Sequence, residues 1–127
     1  MLFRSHREAD LLVTTTPARE PVIGRDALRH GLRVVAVGAD ASGKRELAPE
    51  LIAAAQLVLV DSRSQCAAYG DSAGAVAPAR MVEIGEALAM PAPPRLARDA
   101  IAIADLTGIG AQDAAIAELA WRSLNVS

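Results

Sequence analysis

The sequence predicts an α/β protein, built on half of a doubly wound parallel sheet with helices packed against it. Short apolar runs alternate with helix-length segments along the chain, and this alternation is typical of parallel strands joined by right-handed crossovers. Of the 127 residues, 52% are hydrophobic and 22% are charged, which suffices for one domain with a sizeable core. Aromatic residues make up only 2%, so we expect a core of Ala, Val, Leu and Ile.

The first third of the chain predicts two strands. Residues 11–15 form a short apolar run that ends in β-branched side chains, and residues 32–37 form a second one. Between them, residues 25–30 have the length of a short helix, and Gly31 is a typical helix stop.

The middle of the chain predicts three helices around one strand. Residues 48–56 form a short helix with Pro49 in its first turn, where a missing N–H costs nothing. Residues 57–60 are a continuous apolar strand, typical of a parallel sheet covered on both faces. Residues 62–69 and 81–89 predict helices, separated by a stretch of small residues.

The last third predicts a linker, a strand and a helix. Residues 90–94 hold three prolines in four positions, which excludes helix and favours an extended backbone. Residues 100–104 predict the final strand and residues 112–124 the final helix, which carries an apolar face. The face consists of Ala115, Ile116, Leu119, Ala120 and Leu124.

The most informative segment is Val-Gly-Ala-Asp-Ala-Ser-Gly-Lys-Arg-Glu-Leu, residues 37–47. It closes a predicted strand with a loop that contains Asp40 and Lys44, four positions apart. Since ligands of α/β proteins bind outside the carboxyl ends of strands, these two residues are the first functional candidates. The alternative for Asp40 is a structural turn carboxylate, and for Lys44 it is a solvated surface lysine.

The same segment resembles the ornithine cyclodeaminase/mu-crystallin family, whose members typically read close to V-G-x-D-x-P-G-K-x-E-L here. Three further segments resemble that family in the family's own order. They are Leu-Leu-Val-Thr-Thr-Thr-Pro at 11–17, Val-Leu-Val-Asp-Ser-Arg at 58–63 and Asp-Leu-Thr-Gly-Ile-Gly-Ala-Gln-Asp at 105–113. The resemblance covers roughly residues 7–124, nearly the whole chain.

The resemblance implies the C-terminal half of an NAD(P)-binding Rossmann-like domain, over residues 9–127, after an unmatched segment at residues 1–8. Family members are more than twice as long. The first strand, the glycine-rich pyrophosphate turn, the ribose-binding acid and the substrate and dimerisation domain have no counterpart here. We therefore expect the chain alone to bind NAD or NADP weakly or not at all and to be inactive alone. We also expect one sheet edge and one helix-packing face to be bare.

The resemblance also implies a chemistry. The complete family enzymes oxidise an amino acid to an imine or catalyse the reverse, as cyclodeaminases, alanine dehydrogenases or ketimine reductases. Asp40 would be the proton donor and acceptor at the carbon–nitrogen centre of the substrate, because a carboxylate can both pair with a cationic amine and move its proton. Lys44 would lie near the nicotinamide and could hold Asp40 ionised.

Further cofactor contacts are implied at three strand ends or loops. Thr16 and Pro17 would touch the ribose and nicotinamide, and Val37 and Gly38 would approach the nicotinamide by backbone. The family usually has a serine after Asp105, where this chain has Leu106. The neighbouring Thr107 is the candidate to replace that hydroxyl. These cofactor-binding candidates are Thr16, Pro17, Val37, Gly38, Lys44 and Thr107.

Two other functions remain open. One is a non-catalytic binding protein of the mu-crystallin kind, against which Asp40 argues, while Leu106 and the missing phosphate loop favour it. The other is an inert truncated remnant. Expected partners are a small amino-acid or imine substrate, and either the missing N-terminal half of the enzyme or further copies of the chain.

Composition argues against several other classes. The net charge of −2 gives no basic excess, so no nucleic-acid partner is expected. No apolar run approaches the roughly 20 residues of a membrane helix, so no membrane partner is expected. The single cysteine, Cys66, excludes an internal disulfide, and we expect a cytoplasmic location.

Two further motifs are rejected. Gly108 and Gly110 superficially resemble a dinucleotide fingerprint, but Asp113 would then point a carboxylate at a phosphate. His6 and His30 are isolated and have no metal-ligand spacing, so no metal site is expected.

Overall fold

The computed structural model describes residues 8–92 and 95–124. Almost all of the unmatched N-terminal segment, His6 and the last two prolines of the predicted linker lie outside these residues. Within them, five parallel strands form one sheet in the order β1-β2-β5-β3-β4. The strands are β1 (Leu11–Thr14), β2 (Arg33–Ala36), β3 (Leu57–Val60), β4 (Met81–Glu83) and β5 (Ala102–Asp105). The predicted parallel α/β architecture is confirmed.

Four α-helices connect or follow the strands. They are α1 (Pro49–Ala53), α2 (Arg63–Tyr69), α3 (Ile84–Ala89) and α4 (Gly110–Leu124). Pro49 is in the first turn of α1, as predicted, and the Ser62 side chain caps α2 by accepting a hydrogen bond from the Gln65 N–H. In the part of the chain that the structure describes, no helix is long and apolar enough to cross a membrane.

Two predicted helices are wrong in part. Residues 25–30 form only a 3₁₀ turn, Arg25–Ala27, because Leu28 leaves the helical region of the backbone, with ψ of 119°. The helix stop predicted at Gly31 is wrong, because the helical turn already ends at Ala27; Gly31 instead turns the chain toward β2 with φ of 78°, which is accessible to glycine.

The second difference lies at residues 81–89. The first three residues form β4, a short strand that pairs with β3 and buries Met81, and the helix begins only at Ile84. Glu83 ends the strand and caps the helix, since its side chain and that of Glu86 form a reciprocal capping box. Pairing with the free edge of β3 therefore stabilises strand over helix at these three positions.

One face of the sheet carries the core. Side chains alternate between the two faces along each strand. Because the strands pair in register, residues that face one way on one strand lie beside residues that face the same way on the next. Side chains of helices α1 and α2 pack on this face, together with Leu32 and Leu47. The buried strand residues of the core are Val34, Ala36, Val58, Val60, Met81 and Ile103.

The opposite face is largely open. Leu11 and Val13 on β1 are 56% and 60% exposed, although both are apolar and point to the same side as Val35 on the next strand. Every residue of α4 is exposed, so this helix does not cover the face. The apolar run of β3 predicted a strand covered on both faces; in residues 8–92 and 95–124 only one face is covered. The outer edge of β1 is also unpaired there.

Candidate functional site

Every sequence-predicted site residue lies at one edge of the sheet. Because all five strands are parallel, their carboxyl ends meet there, and the following loops form one continuous rim. Thr16 and Pro17 follow β1, residues 37–45 follow β2, and Thr107 follows β5. This rim is where α/β proteins bind ligands.

Asp40 and Lys44 form an ion pair on the rim. The Lys44 Nζ donates to Asp40 Oδ1 at 2.5 Å, and the two side chains are 28% and 53% exposed respectively. Gly43, with φ of 79°, turns the loop so that residue 44 returns toward residue 40. The hydrogen bond from Lys44 lowers the pKa of Asp40 below its ordinary value. Asp40 is therefore an ionised, accessible carboxylate with a cation on one side.

Glu46 joins the loop after β1 to the loop after β2. The sequence alone assigned it no role. Its carboxylate is fully buried and accepts three hydrogen bonds. Thr14 Oγ1 donates at 2.8 Å, the Thr16 N–H at 2.5 Å and the Gly38 N–H at 2.7 Å. Two of the predicted cofactor-binding residues are thus held in place by one internal carboxylate.

The charge state of Glu46 follows from these bonds. Burial alone would raise the pKa of this carboxyl, but the donors Thr14, Thr16 and Gly38 outweigh burial and hold the pKa below its ordinary value. Glu46 therefore stays ionised inside the protein without a cationic partner in the described residues. The O–H dipole of Thr14 and the N–H dipoles of Thr16 and Gly38 point at the carboxylate and replace the water that it loses on burial.

Asp71 and Asp105 extend the same pattern across the sheet. Asp71 Oδ1 accepts the backbone N–H groups of Glu46 and Leu47, both at 2.8 Å. Asp105, at the end of β5, accepts the N–H of Asp71 at 3.2 Å and that of Ser72 at 2.7 Å. A chain of buried carboxylates and backbone amides thus links the ends of β1, β2 and β5.

The pKa shifts of the two aspartates run in the opposite direction to that of Glu46. Burial raises the pKa of Asp71 to about 6, against the opposing hydrogen bonds from the Leu47 and Glu46 N–H groups. Burial also raises the pKa of Asp105. The Oδ2 atom of Asp71 and the Oγ atom of Ser72 are buried without a hydrogen-bond partner in the described part of the chain. This part of the network is therefore sensitive to pH.

Asp61 holds the loop between β5 and α4 in place by accepting hydrogen bonds from it. Its carboxylate accepts the Thr107 hydroxyl at 3.0 Å and the Gly108 N–H at 2.6 Å. Burial raises the pKa of Asp61, but the bonds from Thr107, Gly108 and Ser62 outweigh it and lower the pKa. Thr107 is 6% exposed, so its hydroxyl is directed inward.

The structure thus groups the predicted residues into three sets. Thr16 and Gly38 are joined through Glu46, Asp40 is paired with Lys44, and Thr107 is bonded to Asp61. Pro17 and Val37 are exposed on the rim beside the first set, Val37 by 41%. No direct hydrogen bond joins one set to another among the described residues.

The carboxylates that sequence analysis missed had one usable signal. Asp61 directly follows β3 and Asp105 is the last residue of β5, positions at which a carboxylate reaches the N–H groups of neighbouring loops. Glu46 and Asp71 have no such signal, because the donors of Glu46 lie up to 32 residues away in the sequence.

Cysteine and histidine add no chemistry to this rim. Cys66 is fully buried, and burial raises the pKa of its thiol to about 12, so the reactive thiolate does not form near neutral pH. His30 lies in the turn before β2, remote from the rim. Across residues 8–92 and 95–124, no three His, Cys, Asp or Glu side chains cluster to hold a metal.

The chain is similar in sequence to one protein family and to several of its members. The model of the ornithine cyclodeaminase/mu-crystallin family matches residues 5–125. An uncharacterized cyclodeaminase of Sinorhizobium fredii is 42% identical over 120 residues, which cover 90% of this chain and 36% of that protein. An alanine dehydrogenase of Archaeoglobus fulgidus is 35% identical over 120 residues, with 90% and 37% covered.

The structure of an archaeal alanine dehydrogenase dimer with bound NAD superimposes with a TM-score of 0.83 at 33% identity. The match covers 98% of this chain and 42% of that one. The chain therefore spans less than half the length of these relatives. The predicted family resemblance is confirmed, and the neighbours are consistent with a partial Rossmann-like domain.

Proposed function

Because the chain belongs to the ornithine cyclodeaminase/mu-crystallin family, we propose that it forms the C-terminal part of an NAD(P)-dependent enzyme acting on an amino acid or its imine. The reaction would be of the cyclodeaminase, alanine dehydrogenase or ketimine reductase type. The observation that carries this proposal is the Asp40–Lys44 pair on the rim of the sheet, 2.5 Å apart. An accessible carboxylate at that position could both pair with a substrate cation and take its proton.

Asp40 would act as the proton donor and acceptor. Lys44 favours its ionised form, so near neutral pH Asp40 is ready to accept a proton from a substrate ammonium group. Its carboxylate also attracts the cationic nitrogen of the substrate before transfer. In the reverse direction the protonated carboxyl returns the proton to the amine nitrogen.

The rim residues fit the nicotinamide end of the cofactor. Thr16, Gly38 and Lys44 lie at the ends of adjacent strands, and Glu46 fixes the first two. Lys44 has two ammonium hydrogens besides the one that it gives to Asp40. NAD(P), when bound, supplies or accepts the hydride. The chain's own residues would orient the substrate, exclude water and move its proton.

The remaining parts of the enzyme would come from outside residues 9–127. We propose that this segment is a partial NAD(P)-binding domain that is inactive alone, in line with its coverage of about 36–42% of its relatives. Either the missing N-terminal half or further copies of the chain would complete it. We also place the protein in the cytoplasm, because its cysteine is a buried free thiol.

A second function, a non-catalytic binding protein of the mu-crystallin kind, is favoured by one observation. Position 106 is a leucine, and the Thr107 hydroxyl that could replace a serine there is bonded inward to Asp61. A cofactor contact expected from that loop would then be missing.

Two substitutions separate these functions. Residues 9–124 are grafted into the matching segment of the archaeal alanine dehydrogenase, and turnover and cofactor Kd are measured. Asp40→Asn should lower kcat by about 10²–10⁴-fold while the cofactor Kd stays nearly constant, because the amide keeps the shape but cannot take the proton. Lys44→Ala should instead weaken cofactor binding more than it slows the chemical step.

The matched control is Asp99→Asn, an exposed aspartate just before β5 at the opposite edge of the sheet. It should leave both quantities at parental values. Near-parental kcat in Asp40→Asn would make Asp40 a turn residue and refute the catalytic proposal. Cofactor binding without turnover in the unmutated graft would favour the binding protein.

A further inference from the structure

A second feature of the rim is a pocket that Lys44 lines and Asp40 does not. A pocket of about 200 Å³ is formed between the residues that follow β1 and β2 and the C-terminal end of α2. Arg19, Lys44 and Arg45 line it together with Tyr69. The chain has a net charge of −2, so three cations around one pocket are a marked local excess.

Most hydrogen-bond donors of these cations are uncommitted. Arg45 gives one guanidinium N–H to the Ala73 carbonyl at 2.9 Å, and Lys44 gives one hydrogen to Asp40. Arg19 makes no hydrogen bond or ion pair with any described residue, and its Nη1 lies beside Gly43. Since a guanidinium carries five N–H donors, the two arginines leave most of theirs to a ligand or to water.

Tyr69 adds a neutral donor. Its hydroxyl oxygen accepts a hydrogen bond from Gln65 Nε2 at 2.8 Å, which fixes the ring and leaves the phenolic hydrogen free to donate. The phenolic hydrogen has no acceptor among the described residues. All four polar side chains that line the pocket therefore offer donors, and three of them carry positive charge.

We propose that this pocket binds an oxyanion, the phosphate or carboxylate group of a small molecule. Arginine forks match the paired oxygens of such groups, and charge-assisted hydrogen bonds are the stronger class. Asp40 offsets one of the three charges, so the pocket keeps an excess of about two. Occupancy by an oxyanion would remove the mutual repulsion of Arg19, Lys44 and Arg45.

The test is an NMR titration of the full chain at pH 7 and constant ionic strength, with inorganic phosphate in one series and succinate in another. Backbone amide signals of Gly43, Lys44 and Gly70 should shift and saturate in the millimolar range. Arg19→Gln should raise the apparent Kd about tenfold or more, since it removes one guanidinium group and its paired, charge-assisted hydrogen bonds. The matched control, Arg98→Gln, removes an exposed arginine at the opposite edge of the sheet and should leave the Kd unchanged.

Saturation by either probe supports the proposal, and the tighter probe identifies the anionic group of the ligand. Shifts that sodium chloride reproduces at equal ionic strength would overturn it, as would equal Kd values for Arg19→Gln and Arg98→Gln. Circular dichroism verifies that both variants are folded. The measurement involves no turnover and no cofactor, so its failure leaves the proposed enzymatic function untouched.

Discussion

At the scale of single residues, the rim depends on one carboxylate that never meets solvent. Glu46 accepts hydrogen bonds from Thr14, Thr16 and Gly38, and these donors come from two different strand ends. Hydrogen bonds to an ionised acceptor are stronger than those between neutral groups, and unsatisfied buried donors are costly. Glu46 thereby fixes the loops on which a nicotinamide contact would depend.

We expect Glu46→Gln to lower the free energy of unfolding by about 2 kcal/mol or more. The amide group of glutamine keeps one acceptor oxygen, but its NH₂ would face the Thr16 or Gly38 N–H, so at least one buried donor loses its partner. Chemical denaturation at pH 7 measures the change. Glu50→Gln, an exposed change in the first turn of α1, is the control and should stay within about 0.5 kcal/mol of the parent. Equal losses in the two variants would remove the structural role assigned to Glu46.

Asp71 makes stability dependent on pH in the opposite sense to Glu46. Its pKa is raised to about 6 by burial, so its contribution to stability is complete below its unfolded value and is lost as the pH rises through about 6. Asp105 has the same sign, since burial raises its pKa too. The pKa of Glu46 is lowered, so its contribution is lost only at acid pH, as the pH falls through its folded value.

We therefore expect the free energy of unfolding to fall between about pH 4 and pH 6.5, by up to about 3 kcal/mol for Asp71 alone. Asp71→Asn should flatten this decline. The asparagine oxygen can still accept the N–H groups of Glu46 and Leu47, while no charge develops. Urea unfolding at several pH values gives the slope. Asp99→Asn should keep the parental slope, and an unaltered slope in Asp71→Asn would assign the pH dependence elsewhere.

At the scale of elements, the sequence predicts those that local pattern controls. Strand β3 follows from its unbroken apolar run, and α1 follows from Pro49 at its start. Strand β4 could not be predicted, because its three residues become a strand only through pairing with β3. The loop residues show the same division: Asp40 and Lys44 lie four residues apart and form an ion pair that local spacing allows, whereas Glu46 accepts hydrogen bonds from another strand.

Gly38 illustrates how close these elements approach. A Cβ atom at this position would overlap the Thr16 carbonyl oxygen and the Glu46 carboxylate, so the end of β2 can pass the β1 loop only as glycine. The family resemblance implies that the Gly38 backbone approaches the nicotinamide. The structure gives it an internal reason as well.

We expect Gly38→Ala to destabilise the fold by about 1–3 kcal/mol, because the neighbouring backbone must move to admit the methyl group. Gly85→Ala is the matched change in open space, within α3, and should be neutral or stabilising by up to about 1 kcal/mol. Thermal unfolding of both variants provides the comparison. A Gly38→Ala protein as stable as the parent would mean that the two strand ends are not tightly packed.

At the scale of the whole molecule, the sheet has more apolar surface than its own helices cover. Parallel sheets are normally buried on both faces, since each crossover places a helix against the sheet. Here, in the described residues, Leu11 and Val13 stand exposed beside an unpaired edge, and α4 exposes Leu119 and Trp121 by 62% and 68%. Large exposed apolar patches and free strand edges both favour association.

We expect the isolated chain to self-associate or to be only marginally stable, because nothing in residues 8–92 and 95–124 covers this surface. Sedimentation at micromolar concentration should give a mass above the 13.2 kDa of the monomer. Val13→Lys and Leu119→Lys should each shift the equilibrium toward monomer, since a lysine on either surface opposes burial. Leu88→Lys changes a leucine on α3 that is more exposed, at 81%, and serves as the control with little effect on mass. A monodisperse monomer that unfolds cooperatively at high temperature would instead show that one covered face is enough for this sheet, and the case for a missing half would lose its physical support.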